Sequence, residues 1–463
     1  MAKLTFFGAT EGVTGSCYLL ETEHSRVLLE CGLFQGRREE EQANELPFPF
    51  KVHELDAVIL SHAHLDHSGR LPKLVAEGYT GAIHVTTPTG DLLDIMLKDA
   101  AFLQERDAEW ENRRRRRAGK PFIEPLYTAD DVEVALAQLD ALPYGQRRDV
   151  TEDVTVCFRD AGHILGSAIV ELFIHERDGD KKLVFSGDLG NSSAALLRDP
   201  ETVEHADVLL LESTYGDREH RSMADTLAEF EEIIELASKS GGNILIPAFA
   251  VGRTQEIIFH LGELYQKGLL RHQAVFLDSP MAIATTGVYQ RYQHTFNRED
   301  RASINQGGSG NLQSFLPVLR YSETTEESMA INRIEAGAII IAGSGMCNGG
   351  RIRHHFKHNL WKKDAHVIIV GFQARGTPGR ALVDGTKTFR MGGEEIAVNA
   401  TIHTLGGFSA HASQSQLAAW ANQFKSPRPQ VYLVHGEPDA KEVLQQRLAQ
   451  DDWSVHIPRP GTT

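Results

Sequence analysis

The sequence predicts an α/β protein in which a strand-rich first half leads into a doubly wound unit of alternating strands and helices. Three observations carry that reading. Short apolar runs dominate up to about residue 212, and Gly, Asp or Ser follows most of them within three residues. From about Gly216 the rhythm becomes strand–turn–helix, the pattern of a parallel sheet wrapped by helices. The length of 463 residues, 41% hydrophobic and 24% charged, is enough to bury the cores such an arrangement needs.

In chain order, the strand candidates of the first half are Leu4–Ala9, Cys17–Thr22, Arg26–Cys31, Ala57–Ser61, Ala82–Thr86, Val154–Phe158, Ala168–Ile174, Lys182–Phe185 and Val208–Glu212. Several are largely apolar, as expected of strands covered on both faces. Between Leu92 and Asp140 the sequence turns charged and helix-like and contains the run Arg113–Arg117. That run reads either as a solvated helix face or as a phosphate-contacting arm. Met223, Leu227, Phe230, Ile233, Ile234 and Ala237 recur at helical spacing, so Met223–Ser238 reads as an amphipathic helix. A strand at Asn243–Phe249, a helix at Arg253–Lys267 and strands at Ala274–Leu277, Ala338–Ala342 and His366–Val370 follow. Asn305–Gly310 reads as a mobile loop. After about Glu395 a third pattern begins, with a strand to His403, a helix near Ser413–Phe424 and the strand Val431–Val434.

Composition narrows the function classes. The net charge of −16 argues against a polybasic nucleic-acid binder, although local positive patches are compatible with it. The four cysteines form no C-x-x-C pair, so neither a disulfide framework nor a thiolate zinc site is expected. Met1 to Gly15 lacks the apolar core of a signal peptide, and no apolar run approaches the ~18 residues of a membrane span. A cytoplasmic protein without membrane contact is the expectation. The 21 histidines matter more for where they fall than for their number.

His62-Ala63-His64-Leu65-Asp66-His67 follows the strand Ala57–Ser61 directly. With histidine at roughly 0.05 of positions, three at that spacing arise by chance about 0.05 times in a chain of this length. A strand running into a tight loop turns several such side chains toward one point, and neutral imidazole with carboxylate suits Zn²⁺. The competing reading is a polar loop whose histidines cap a helix. Three further ligand candidates, His163, Asp188 and His435, each end an apolar run beside a glycine. Gly343-Ser344-Gly345-Met346 reads either as an ordinary strand–helix turn or as backbone amides at a helix start that bind phosphate. Arg253, Arg351, Arg353, Lys357, Lys362, Lys363, Arg375 and Arg380 either line a cleft or are scattered surface cations. Phe249 and Phe408 are expected to be packed rather than to stack on bases.

The order of these motifs resembles the metallo-β-lactamase fold, and specifically its β-CASP branch of nucleases. The match includes Glu212 in Leu211–Gly216, the stretch Pro247–Thr254, Gly343–Met346, Gly406–Ala412 and His435-Gly436-Glu437. It is closest to the endonuclease subunit of the pre-mRNA 3′-end cleavage factor and its short prokaryotic homologues. The resemblance implies an αββα sandwich built from residues 1–216 and 396–463, with a doubly wound α/β β-CASP domain inserted at 217–395. It implies two Zn²⁺, with Mn²⁺ as a substitute. His62, His64 and His163 would hold one ion and Asp66, His67 and His435 the other, with Asp188 bridging. Glu212 and His411 would pair beside the metals and, with Asp66, form the catalytic group. Ser409, Ser344 and Gly345 lie where the family contacts substrate phosphate, and Arg253 is grouped with them. One departure is Glu30-Cys31-Gly32, where the family has Asp-Cys-Gly, which bears on the support of the ligands and not on the ligands themselves.

The implied activity is two-metal hydrolysis of single-stranded RNA, as an endonuclease, a 5′-exonuclease or both. The metals would activate a water that attacks phosphorus in line, and His411 would protonate the leaving 3′-oxygen, giving a 5′-phosphate and a 3′-hydroxyl. Alternatives are a DNA-directed β-CASP nuclease and a non-catalytic RNA-binding scaffold. The former usually lacks a histidine at the position of His435, and the latter would be expected to have lost ligands. A small-molecule hydrolase would not need the ~180-residue insertion. A homodimer is compatible with the resemblance.

Overall fold

The computed structural model describes residues 2–36, 38–306, 310–374 and 376–463. Part of the Asn305–Gly310 loop and the side chain of Arg375 therefore lie outside the described residues. The chain divides into two compact units: Met1–Ser192, Asp199–Glu219 and His411–Thr463 form the first, and Ser193–Arg198 with His220–Ala410 form the second.

In the first unit, six strands build one sheet in sequence order: Lys3–Phe6 (β1), Tyr18–Glu21 (β2), Arg26–Leu29 (β3), Ala57–Ile59 (β4), Ala82–Thr86 (β5) and Leu139–Leu142 (β6). The chain then lays down Arg147–Asp149 (β7), Val154–Asp160 (β8), Ala168–Ile174 (β9), Lys181–Phe185 (β10) and Val208–Glu212 (β11) in a second sheet. Alternation explains how the sheets meet. Phe6, Tyr18, Val27 and Ile59 of the first sheet and Val156, Phe158, Val170 and Phe185 of the second are fully buried in one shared core.

The second unit is wound on Ile244–Pro247 (β12), Ala274–Leu277 (β13), Leu319–Tyr321 (β14), Ala338–Ala342 (β15) and His366–Ile369 (β16), with a separate hairpin of Thr388–Met391 (β17) and Glu394–Ala397 (β18). Thr401–Thr404 (β19) closes its sheet, whose order is β14-β13-β15-β12-β16-β19 and whose pairings are all parallel. Helices of clean sequence logic link these strands. Met223–Ser240 begins at Ser222, whose hydroxyl accepts the Asp225 amide, and ends at Gly241 with φ of 75°, a value only glycine adopts without strain. Helix Ile352–Asn359 buries Ile352 and Phe356 against Leu245, Ile340 and Val367.

The return to the first unit comes later than the sequence rhythm suggests. The stretch after Glu395 does contain a strand near His403. That strand, β19, pairs in parallel with β16, and the second unit continues to Ala410. Gln430–Val434 (β20) and Val455–His456 (β21) then complete the second sheet, ordered β21-β20-β11-β10-β9-β8-β7. Helices Gln414–Ala421 and Pro438–Ala449 cover its outer face through Leu417, Trp420, Leu444 and Leu448. On the other side, helices Leu71–Ala76, Thr87–Arg117 and Ala129–Ala137 pack with one another and on β5 and β6. The first unit is thus the αββα sandwich that the resemblance implied, and the second is the inserted doubly wound domain. All four cysteines are buried and free, and burial pushes the Cys17 thiol up to about 11. Among the described residues, no helix is long and apolar enough to cross a membrane.

Candidate metal centre

The ends of four strands in the first unit meet at one point. β4 runs into His62 and His64 and then into the one-turn helix Leu65–Ser68, which carries Asp66 and His67. β8 delivers His163, β10 delivers Asp188 and β20 delivers His435. His435 after β20 and Glu30 after β3 use backbone that few side chains tolerate, at φ of 50° and 65°. Gly32 is required by space, since an added Cβ would lie 1.7 Å from the Asp66 carbonyl oxygen.

The side chains converge as two adjoining groups. His62 Nε2 lies 3.1 Å from His64 Nδ1, and His163 Nε2 lies 3.2 Å from the same atom. Asp188 Oδ2 stands 3.6 Å from both His62 Nε2 and His163 Nε2. In the second group His67 Nε2 is 3.1 Å from His435 Nε2, which is 3.4 Å from Asp66 Oδ2. Asp188 joins the two: Oδ2 is 3.4 Å from His67 Nε2 and Oδ1 is 3.4 Å from His435 Nδ1. The ligand atoms of His62, His64, His163 and Asp188 all lie within 4.8 Å of one another, as do those of Asp66, His67 and His435.

The chemistry of this donor set fits divalent cations. Where two imidazole nitrogens face each other near 3.1 Å, one proton can serve only one of them, so lone pairs are left pointing at a common centre. Asp188 Oδ1 is buried and makes no hydrogen bond among the described residues, a costly state for a carboxylate oxygen unless a cation binds it. Burial, and then the neighbouring His67, hold His62 well below the ordinary histidine range; burial holds His64 at about 4. Both are therefore in the neutral form that ligates. Asp188 is held well below the carboxylate range: burial opposes this, and His435 and His67 overcome it.

The opposite ring edges are held by partners that sequence reasoning only partly identified. Glu30 is fully buried and accepts the Ser61 amide at 2.6 Å, the Ser61 hydroxyl at 2.8 Å and a bond from His67 Nδ1. The longer side chain at that position therefore reaches its partners. Ser61 Oγ is 2.9 Å from His62 Nδ1, and Thr214 Oγ1 is 3.0 Å from His435 Nδ1. Neither hydroxyl was foreseen, and the only signal was its place beside a ligand at a strand end.

His411 lies beside the metal groups. Its Nδ1 is 3.4 Å from Glu212 Oε1 and 3.9 Å from Asp188 Oδ2, and its ring centre is 4.5 Å from that of His163. Glu212 is fully buried and fixed by the amides of Leu189 at 2.8 Å and Thr214 at 3.1 Å. Burial acts to lower His411, but the carboxylates of Glu212, Asp188 and Asp66 outweigh it and raise its pKa to about 9.

The remaining site expectations fall in the inserted unit. Ser409 precedes His411 by two residues and donates its amide to Gly407. Gly343–Met346 is not the start of a helix: helix Ile352–Asn359 begins later, and the loop closes on itself with Ser344 Oγ accepting the Gly349 amide at 3.2 Å. Gly345 has room for no side chain, because its Cβ would lie 2.8 Å from the Phe249 ring. Arg253 is buried, and its guanidinium is paired with Glu256 and lies over Phe408 at 5.7 Å. Of the other cations, Arg351 is tied to Asp278, Lys357 to Glu394 and Arg380 to Asp384, while Arg353 bonds the carbonyls of Asn348 and Arg390 and Lys362 that of Glu335. Phe408 is packed as expected, whereas Phe249 is 46% exposed.

Comparison with known proteins places this geometry in context. Residues 10–237 match the metallo-β-lactamase superfamily, residues 254–382 the Beta-Casp domain, and residues 395–458 the Zn-dependent metallo-hydrolase RNA specificity domain. The chain is 41% identical over 460 residues to Ribonuclease TTHA0252 of Thermus thermophilus, covering 99% of each chain. It is 30% identical over 449 residues to Transcription termination factor FttA of Methanocaldococcus jannaschii, covering 94% of this chain and 67% of that one. A solved protein of unknown function from Enterococcus faecalis shares the fold at 13% identity, with a TM-score of 0.57 over 99% of this chain and 98% of the other.

Proposed function

The chain belongs to the β-CASP branch of the metallo-β-lactamase superfamily, and from that premise we propose that it is a zinc-dependent ribonuclease acting on single-stranded RNA. The observation that carries the proposal is the pair of ligand groups joined by Asp188, with the His411–Glu212 pair beside them. His62, His64 and His163 would hold one Zn²⁺, Asp66, His67 and His435 the other, and Asp188 would bridge them. Two such cations supply Lewis-acid neutralisation of a phosphodiester and lower the pKa of a water to near neutrality.

The protein's own groups do the rest. Glu212 holds the His411 ring by Nδ1, so Nε2 is the nitrogen that meets the substrate. A water that has given up one proton to solvent bonds through its oxygen to phosphorus as the bond to the 3′-oxygen breaks, and protonated His411 gives its Nε2 proton to that leaving oxygen. The products are a 5′-phosphate and a 3′-hydroxyl. Ser344, Gly345 and Ser409 are the proposed phosphate contacts; Arg253 is not among them, since Glu256 and Phe408 occupy its guanidinium. The RNA assignment draws on the match of residues 395–458 and on the ribonuclease relative.

The test is a gel. Zinc-loaded protein is incubated with matched end-labelled RNA and single-stranded DNA, and the new ends are typed by phosphatase and ligase treatment. Cleavage of RNA with 5′-phosphorylated downstream products is expected. Preferential cutting of DNA, or a 2′,3′-cyclic phosphate end, would overturn the assignment.

A further inference from the structure

Helix Thr87–Arg117 is anchored at the site and then leaves it. Its first turn is capped by Thr86, and Thr89 Oγ1 donates to the Gly166 carbonyl at 2.9 Å, on the loop that carries His163. The helix runs for 31 residues, about 46 Å at 1.5 Å per residue. Leu97, Ala101 and Ala108 keep its inner face buried. The outer face of its second half is unusual. At 3.6 residues per turn, Phe102, Arg106, Trp110, Arg113, Arg114 and Arg117 fall within one third of the circumference, and the carboxylates of Glu105, Asp107, Glu109 and Glu111 fall outside it.

This stripe interleaves exposed aromatic rings with guanidinium groups. Phe102 is 54% exposed and Trp110 59%. Arg106 lies over the Phe102 ring at 5.4 Å, and Arg114 over the Trp110 ring at 4.9 Å. Glu109 and Glu111 reach Arg113 and Arg114 at 3.5 and 3.1 Å; Arg116 and Arg117 have no carboxylate partner among the described residues. The residues from Arg113 to Lys120 are five arginines, an alanine, a glycine and a lysine, with no acid, in a chain of net charge −16. A helix dipole accounts for cations in a last turn. It does not account for a tryptophan and a phenylalanine left in solvent on the same face.

We propose that the outer face from Phe102 to Arg117 is a single-stranded RNA-binding arm. Trp110 and Phe102 stack on unpaired bases, and Arg106, Arg113 and Arg117 contact the backbone. The stripe is about 22 Å long at helical rise, enough for several nucleotides of substrate beyond the scissile bond. The proposal rests on the ribonuclease reading and adds to it a second point of contact outside the metal centre.

The test measures binding of a labelled, phosphorothioate-linked 20-mer RNA to zinc-loaded protein by anisotropy across a salt series. The variant Trp110→Ala/Arg113→Ala/Arg117→Ala should bind at least 10-fold more weakly at unchanged zinc content and unchanged thermal midpoint. Its salt slope should fall by about 1.4, at about 0.7 per lost single-strand phosphate contact. Trp110→Phe alone should retain most of the affinity, because a ring remains to stack. If the triple variant matches the wild type in affinity and slope while both cut RNA, the arm is wrong and the ribonuclease reading stands. If the variant changes only oligomeric state, the face is a contact between copies and the arm is again wrong. If wild-type protein neither binds nor cuts RNA, both readings fall.

Discussion

His411 and Glu212 illustrate what a single side chain is asked to do here. Glu212 already accepts two backbone amides, so its carboxylate cannot swing away, and His411 inherits that rigidity through Nδ1. His411→Ala should leave zinc content intact yet lower the cleavage rate by about 10²–10⁴, the usual worth of a general acid. Single-turnover assays on RNA with metal analysis check both halves, and a variant that cuts at the wild-type rate would remove His411 from the reaction. Glu30 acts one step further out. It touches no ligand atom that faces the metals, but it binds His67 at Nδ1 and thereby aims Nε2. Glu30→Gln should weaken zinc binding by about 10–100-fold, read by competition with a chromophoric chelator. Unchanged zinc affinity would reduce Glu30 to a space-filling role.

At the scale of elements, the strand ends that bring the candidate ligands together were legible because each combines an apolar run, a glycine and a side chain able to coordinate within a few residues. The His62–His67 spacing was informative for the same reason: one strand and one turn determine where all four side chains point. The failures share the opposite property. Nothing local to Thr401–Thr404 says which sheet it joins, and its half-exposed pattern suits an edge in either. Nor does the neighbourhood of Arg253 in sequence reveal that Glu256, one helical turn on, and Phe408, far along the chain, occupy its guanidinium. The inserted sheet also carries a titration of its own. His272 beside β13 is buried with Nδ1 3.4 Å from Ser238 Oγ, and burial and then the neighbouring His366 lower its pKa from 6.5 to about 4. His366 in β16 and His403 in β19 pair at 3.0 Å and are both lowered chiefly by burial. A histidine folded neutral stabilises fully above its unfolded pKa and loses that contribution as pH falls toward the folded value. His272 alone should therefore cost about 2 kcal/mol of stability between pH 7.5 and pH 5. Urea melts at the two pH values should show a smaller acid loss for His272→Leu than for wild type, and equal losses would show that His272 titrates normally.

For the molecule as a whole, the metal centre is a long-range tie. Its proposed donors come from residues 62–67, 163, 188 and 435, so an ion held by them would join segments that only the folded first unit brings together. A ligand that binds the native state alone stabilises it by RT ln(1 + [L]/Kd), about 2.7 kcal/mol at a hundredfold excess over Kd. Chelation should accordingly lower the thermal midpoint, and zinc titrated back should restore it along a saturating curve. The two ligand groups make the expectation more specific. His163→Ala removes a donor from the first group and His435→Ala from the second, so each should blunt the zinc-dependent shift without abolishing it. The double variant should lose more of the shift than either single variant. Among the described residues the inserted unit contributes no donor to these groups. Differential scanning calorimetry of the full chain with and without chelator measures all of these. A midpoint that does not move with zinc would mean that the seven side chains, close as they are, do not hold an ion.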